Sequence, residues 1–342
     1  MTGALSSERK ATIYDVAKSA GVSVGTVSRY LNGQSLRQAN RAQIERGIQT
    51  LSFRPNALAQ GIKRGGSRVI GFLVREFDEF HGELLERLSR EFQGAGYKIM
   101  TYCHDERQEE VIDAVEYFAS QQVDALISGG APEASIAVSR LLETGIPVVT
   151  YNNDLLGMNV DRVFVENRRA SAHAVSHLID LGHRRIAHIA GRQKETTGVA
   201  RRDGYLDALK ERDLPIDESL IEYGNWHIDG GYAAITRLMA LPEPPTAVFS
   251  ANYRMTAGVL ECVRENGWRV PDSFSLISFD DTELFRLYGD GVSAIAQPTE
   301  QIARSIVERV LARLSGADVP ATTTRTIQCN LILRGSTRPP TR

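Results

Sequence analysis

From residue 69 onward, short apolar runs alternate with stretches of helical periodicity, and this alternation limits what most of the chain can become. Residues 69–74, 98–102, 124–128 and 147–151 read as buried strands, with helices over 80–95, 108–120 and 136–144 between them. The pattern then restarts. Strands are expected at 185–190, 220–223, 247–250 and 275–279, spaced by helices near 170–181, 199–212, 230–241 and 255–266. A helix over 300–314 and strands near 326–333 follow. Apolar strands separated by helices build parallel sheets through right-handed crossovers. Two runs of about four units predict an α/β fold with two lobes.

The first 66 residues follow a different rule. Thr12 can cap a helix, with Asp15 placed to return the bond. Ile13, Val16, Ala17 and Ala20 share one face, and Gly21 suits the left-handed turn that ends such a helix. Ser23 can cap a second helix that buries Val27 and Leu31. A third helix over 39–51 closes a small bundle through Ile44, Ile48 and Leu51. The Ala17, Gly21 and Val27 spacing fits a helix-turn-helix, whose second helix enters a DNA major groove. An ordinary packed helical hairpin is the alternative. The expected outward residues of the second helix are Val24, Gly25, Thr26, Ser28 and Arg29. Residues 54–66 form a basic joint, with a short helix over 56–63 that Gly61 weakens by about 1 kcal/mol relative to Ala.

Charge separates the same two regions. Residues 1–64 carry ten Lys/Arg against three Asp/Glu, a net +7, while the rest of the chain is −9. A basic head on an acidic body points to a polyanion that meets the head alone. The three cysteines, Cys103, Cys262 and Cys329, are scattered and have no metal-ligand spacing. They fit reduced thiols in a reducing compartment. With no signal-like or membrane-spanning apolar run, the expected location is the cytoplasm.

Ligands of parallel α/β sheets bind beyond the carboxyl ends of the strands. Here those loops carry Arg75, Phe77, Asp78 and His81, then Asn152, Asn153 and Asp154, then Arg192 and Gln193. They continue with Asn225, Trp226 and His227, then Asn252, then Asp280 and Asp281. Amides and carboxylates can pair with vicinal hydroxyls, and an aromatic face can stack on a sugar ring. A small polar ligand between the lobes is the inference, although exposed loops are polar in any case. Arg75 and His81 would suit an acidic sugar. Catalytic readings lack support, since the sequence has no GxGxxG after the first strand, no GxxxxGK[ST], no GxSxG and no HExxH. His173 and His177 lie four apart with no third ligand in view. No catalytic residue, metal or cofactor is expected.

The motifs IYDVAKSAGVSVGTVSRYLNG (13–33), RPNALAQ (54–60), LGHRRIAHIAG (181–191), ARRDGY (200–205), ISFDDTE (277–283) and LILRGST (331–337) occur in order. Through them the chain resembles the lactose-repressor/galactose-repressor (LacI/GalR) family of transcription regulators over roughly residues 12–337. The resemblance implies three parts: a helix-turn-helix headpiece (1–53), a hinge helix and linker (54–66), and a two-lobed effector and dimerisation domain (67–342). That last part would be like periplasmic sugar-binding proteins, with the chain crossing between lobes near 152–165, 292–298 and 324.

The resemblance also implies site residues. Val24 and Gly25 stand where the family varies its base-reading side chains, while Thr26, Ser28, Arg29 and Asn32 match phosphate- or base-contacting positions. Asn56 and Ala57 fall in the hinge motif, and Ile62 aligns with a leucine that wedges into the minor groove. Gly25 has no side chain to read a base, which shifts discrimination to Arg29. Phe77, Asn152, Arg201, Trp226, Asn252 and Asp280 are the expected effector contacts. Asn152 replaces a usual Asp, and Tyr253 follows Asn252 where Asp is usual. The expected protein is a homodimeric repressor on a pseudo-palindromic operator, answering to a sugar or sugar derivative. A purine or other polar metabolite as effector, or activation in place of repression, are the alternatives. A transport-type sugar-binding protein is disfavoured by the basic head, and an enzyme by the missing motifs. The RPPTR ending gives no sign of the heptad tail that makes tetramers in some relatives.

Overall fold

The computed structural model describes residues 11–32, 34–54, 66–104, 107–130, 135–316, 320 and 322–341. Their contacts divide the chain into two compact units that meet between Ser67 and Arg68.

The small unit holds three helices, α1 (Ile13–Ala20), α2 (Val24–Leu31) and α3 (Gln38–Thr50). Thr12 and Asp15 form the reciprocal cap: the Thr12 amide donates to Asp15 Oδ2 at 2.8 Å, and the Asp15 amide donates to Thr12 Oγ1 at 3.4 Å. Gly21 ends α1 at φ 64°, a left-handed geometry that a Cβ would strain. Ser23 Oγ accepts the Thr26 amide and starts α2. Val16, Ala17, Ala20, Val27 and Ile44 are buried together as the core of this unit.

The large unit contains two six-stranded sheets. In the first lobe the spatial order is β2 (Lys98–Cys103), β1 (Val69–Val74), β3 (Ala125–Ser128), β4 (Val148–Tyr151), β5 (Asp161–Val165) and β11 (Thr324–Ile327). All these pairs are parallel. In the second lobe the order is β7 (Ile221–Tyr223), β6 (Ile186–Ala190), β8 (Ala247–Ser250), β9 (Ser275–Phe279), β10 (Ser293–Ala296) and β12 (Asn330–Ile332). Only β12 runs antiparallel there. Helices α4 (Glu79–Gly94), α5 (Gln108–Ser120), α6 (Ser135–Glu143) and α11 (Thr299–Leu314) belong to the first lobe. Helices α7 (Asn167–Asp180), α8 (Thr196–Glu211), α9 (Ile228–Met239) and α10 (Tyr253–Glu265) belong to the second.

The sequence expectation placed eight of these strands and missed β5 and β10. β5 alternates buried and half-buried residues, and β10 (SAIA) is mostly Ser and Ala, so neither reads as a strongly apolar run. The expected stretch near 326–333 is two strands in different sheets. The crossings are corrected accordingly. Residues 152–160 connect β4 to β5 within one sheet, and the chain changes lobe at Glu166, between β5 and α7. It returns at Gln297 and Pro298, and crosses last at Gln328 and Cys329, four residues after the expected position 324. One buried cluster runs through these crossings, from Phe72 and Tyr151 to Phe249 and Phe279, with Val165, Ile302 and Ile327 between.

At the start of β11, Asp161 opens the neighbouring β5 and is 2% exposed. It accepts bonds from Arg313 Nε at 2.7 Å, Arg309 Nη2 at 3.2 Å and the Thr323 amide at 2.8 Å. Burial alone would raise its carboxyl, but the Arg313 and Thr323 bonds outweigh that and hold it below the ordinary value. It therefore ties α11 and the strand β11 to the first sheet while ionised.

Candidate functional site

The carboxyl ends of both sheets face one cavity within the large unit, of about 100 Å³. Ligand clefts commonly run from about 300 Å³ upward, so the lobes stand close together here. Four residues that line or flank this cavity have left-handed backbones: Asn152 (φ 59°), Asn225 (52°), Trp226 (72°) and Asp280 (68°). Asn and Asp tolerate that geometry, whereas for Trp it costs on the order of 1–3 kcal/mol. Strain of this kind is sustained by the surrounding contacts, and Asn152, Trp226 and Asp280 line the cleft.

Arg201, on α8, is 4% exposed. Its Nε donates to Asn167 Oδ1 at 2.9 Å and its Nη1 to the Ala251 carbonyl at 2.6 Å. The guanidinium lies 3.5 Å over the Phe279 ring and 5.6 Å from Trp226. Asp280 Oδ2 is 3.7 Å from Nη1. Among the described residues no acceptor takes Nη2, which leaves one charged donor for a ligand. Burial raises the Asp280 carboxyl above its ordinary value, and Arg201 and Gln297 pull it back. Gln297 donates to Asp280 Oδ1 at 2.6 Å, while its own Oε1 is buried without a partner. Asn252 caps α10 by accepting the Met255 amide at 2.9 Å.

Glu195 is the central anion. Its Oε1 accepts from Arg75 Nη1 at 3.0 Å, and its Oε2 accepts from Trp226 Nε1 at 3.0 Å and Asn153 Nδ2 at 3.2 Å. Arg75 also lies 3.6 Å from Glu76, and His81 Nδ1 lies 2.6 Å from Asp78. For Asp78, burial raises the carboxyl, but the bond and charge of His81 win and lower it. Arg75 and His81, the basic groups expected to suit an acidic sugar, are thus each already paired with a carboxylate. Among the described residues no group of three or more His, Cys, Asp or Glu could hold a metal.

On α2 of the small unit the exposed positions are Gly25 and Arg29, with Ser28 and Asn32 half-buried. Two expected outward residues are corrected. Val24 packs against the small core, and Thr26 is buried, its Oγ1 lying 2.8 Å from Ser23 Oγ and 3.4 Å from Arg29 Nη2. Both follow from their place in the first turn, which folds back onto α1. Tyr14, in the first turn of α1, is 70% exposed. Asn56, Ala57 and Ile62 lie outside the described residues.

A family model described as "Bacterial regulatory proteins, lacI family" matches residues 12–56, and one described as "Periplasmic binding protein-like domain" matches residues 175–337. The HTH-type transcriptional repressor CytR of Escherichia coli strain K12 is 31% identical over 338 residues, 97% of each chain. The chain belongs to the lacI family of bacterial regulatory proteins. The HTH-type transcriptional regulator PtxS of Pseudomonas aeruginosa is 31% identical over 98% of both chains. Among solved structures, the transcriptional regulator CelR in complex with cellobiose matches with a TM-score of 0.73 at 28% identity, covering 96% of this chain and 100% of that one. A lac repressor dimer bound to operator and the anti-inducer ONPF matches with a TM-score of 0.84 at 24% identity over the same shares, a likeness of fold.

This lacI-family member is a DNA-binding transcription regulator. Of the six effector contacts expected from its sequence, Asn152, Arg201, Trp226, Asn252 and Asp280 line this cavity together. Phe77 does not. It is 49% exposed, because the turn into α4 points it outward, and Phe80 lines the cavity in its place. Glu195, Thr197, Gln297 and His104 also line it and were missed. Glu195 and Thr197 open α8 several residues past the end of β6, Gln297 sits at a crossing beyond the unrecognised β10, and His104 is an isolated residue after β2.

Proposed function

We propose that the protein is a homodimeric repressor whose operator affinity is set by a neutral, polyhydroxylated ligand, a sugar or sugar derivative, held in the cleft of the large unit. The observation that carries the ligand class is the pairing inside the cavity. Arg75, Arg192 and Arg201 each lie within 4 Å of a carboxylate, so an anionic ligand would have to break an existing pair. The Arg201 Nη2 donor, the Asp280 carboxylate, the Asn252 amide and the Trp226 face suit hydroxyls and a ring in place of a charge. The cellobiose complex of CelR supports a carbohydrate.

Residues 1–53 act as the headpiece, 54–66 as the hinge and 67–342 as the effector and dimerisation domain. Two headpieces related by a two-fold axis meet a pseudo-palindrome, and Ile62 from each hinge enters the minor groove. Leu284 and Leu287, 66% and 80% exposed on the second lobe, support a copy of the chain packing there, as does the lac repressor dimer. No helix among the described residues is long and apolar enough to cross a membrane. The likeness to DNA-binding regulators supports work in the cytoplasm beside DNA. The protein acts by binding and without turnover. The three crossings let the lobes move against each other, and a ligand shifts operator affinity only through its different affinity for the two arrangements.

Arg29 is the exposed long side chain of α2 and the assigned base reader. Replacing it with alanine is expected to relax preference at one symmetric pair of operator positions. A bidentate Arg–guanine contact carries about 1–3 kcal/mol, so selectivity there drops roughly five- to 150-fold. Binding-site selection on random DNA measures this directly. Unchanged selectivity at every position removes Arg29 as a reader.

A further inference from the structure

The two lobes are joined across the cleft mouth by direct side-chain and backbone bonds. Glu195 belongs to the second lobe, at the position before α8. It leaves its own helix uncapped and directs its carboxylate across the cleft to Arg75 and Asn153 of the first lobe. Trp226 holds the same carboxylate from behind at 3.0 Å. Around it, the Asp154 amide of the first lobe donates to Thr196 Oγ1 at 2.9 Å, and the Thr197 amide of the second donates to Asn153 Oδ1 at 3.0 Å. Farther along the mouth, the Glu79 amide donates to Tyr253 Oη at 3.3 Å, and Arg254 pairs with Glu76.

We propose that Glu195 is a latch that holds the lobes closed. Its carboxylate is 9% exposed and accepts two lobe-crossing bonds, one of them from a charged guanidinium. Such charge-assisted bonds are roughly twice as strong as neutral ones. The remaining cavity of about 100 Å³ is below the usual size of a ligand cleft, so an effector reaches the site only after the latch parts. Glu195 therefore sets how far the protein already lies toward the closed arrangement before any ligand arrives. The consequence for effector response rests on the proposed function, whereas the latch itself is tested without ligand.

Hydrogen exchange on the full-length, ligand-free protein reads the latch through the Asp154 and Thr197 amides, whose bonds cross the cleft. Glu195→Ala is expected to speed their exchange roughly tenfold or more, the measure of one lost charge-assisted bond. Amides of β3 and β8, inside the separate sheets, keep their protection. Arg75→Met removes the same pair from the opposite lobe, leaves α8 untouched and must give the same local signature. The proposal is overturned if either variant leaves Asp154 and Thr197 as protected as before. It is equally overturned if the two amides deprotect only together with β3 and β8, since the pair would then support folding and not closure.

Discussion

Replacing Gly191 with alanine is expected to abolish most of the ligand response. Gly191 follows β6, and the Trp226 indole lies on its backbone. A Cβ added there would stand 1.9 Å from Cη2 and 2.2 Å from Cζ2 and Cζ3 of that ring. An indole cannot give way by a rotamer change while its own backbone is held at φ 72° and its Nε1 is bonded to Glu195. The ring has to leave its seat, which costs about 1–3 kcal/mol of stability as overpacking. It also removes an aromatic wall of the cavity. A buried aromatic side chain contributes on the order of 1.5–3 kcal/mol, so ligand affinity should fall roughly ten- to hundredfold. The chain has two tryptophans, Trp226 and Trp268. In a Trp268→Phe background, emission reports Trp226 alone and should shift in the Gly191→Ala protein, with calorimetry giving the affinity. Unchanged emission and unchanged affinity would show that the ring is not part of the site.

Arg201→Met is expected to be the most destabilising single change in the cleft. Methionine keeps a flexible stem over Phe279 but removes the charge opposite Asp280. Breaking a buried pair from one side costs about 3–5 kcal/mol, because the partner is left uncompensated. The pH dependence separates this cause from simple loss of the Asn167 and Ala251 bonds. Burial already raises the Asp280 carboxyl above its unfolded value, and Arg201 pulls it down. Without Arg201 it rises further. A carboxyl raised in the folded state contributes stability that is fully present below the unfolded value, near pH 4, and is lost as pH rises through the folded value. The variant should therefore lose least at low pH and most near neutrality. Adding Asp280→Asn should restore much of the stability and none of the ligand binding. An equal loss at pH 5 and pH 7, measured by denaturant unfolding, would assign Arg201 to the bonds with Asn167 and Ala251 and not to the pair.

The sequence was most informative where a function depends on local pattern. Thr12, Gly21 and Ser23 set the ends of α1 and α2 through contacts within five residues, and the strand-end rule led to Trp226, Asn252 and Asp280 without any partner being known. It was least informative where the meaning of a residue lies in distant partners. Glu195 sits in an ordinary polar loop, and its three donors are 120, 42 and 31 residues away. Arg75 looked like an open cation for the same reason. Phe77 and Phe80 carry equal apolar weight, and only the direction of the turn before α4 separates them. Thr26 faces inward although its neighbours Gly25 and Arg29 face out, because its hydroxyl completes the Ser23 cap. β10, mostly Ser and Ala, was too weakly apolar to register, and with it went Gln297.

The central property proposed for this protein is sequence-specific DNA binding under the control of a small ligand. The direct test is to incubate the purified full-length protein with fragmented genomic DNA at moderate salt, with and without a panel of neutral sugars, and to sequence what stays bound. The expected result is one palindromic motif with two half-sites, whose recovery changes with at least one sugar and with none of the acidic analogues. Recovery of DNA without a shared motif, at every sugar tested, would contradict it.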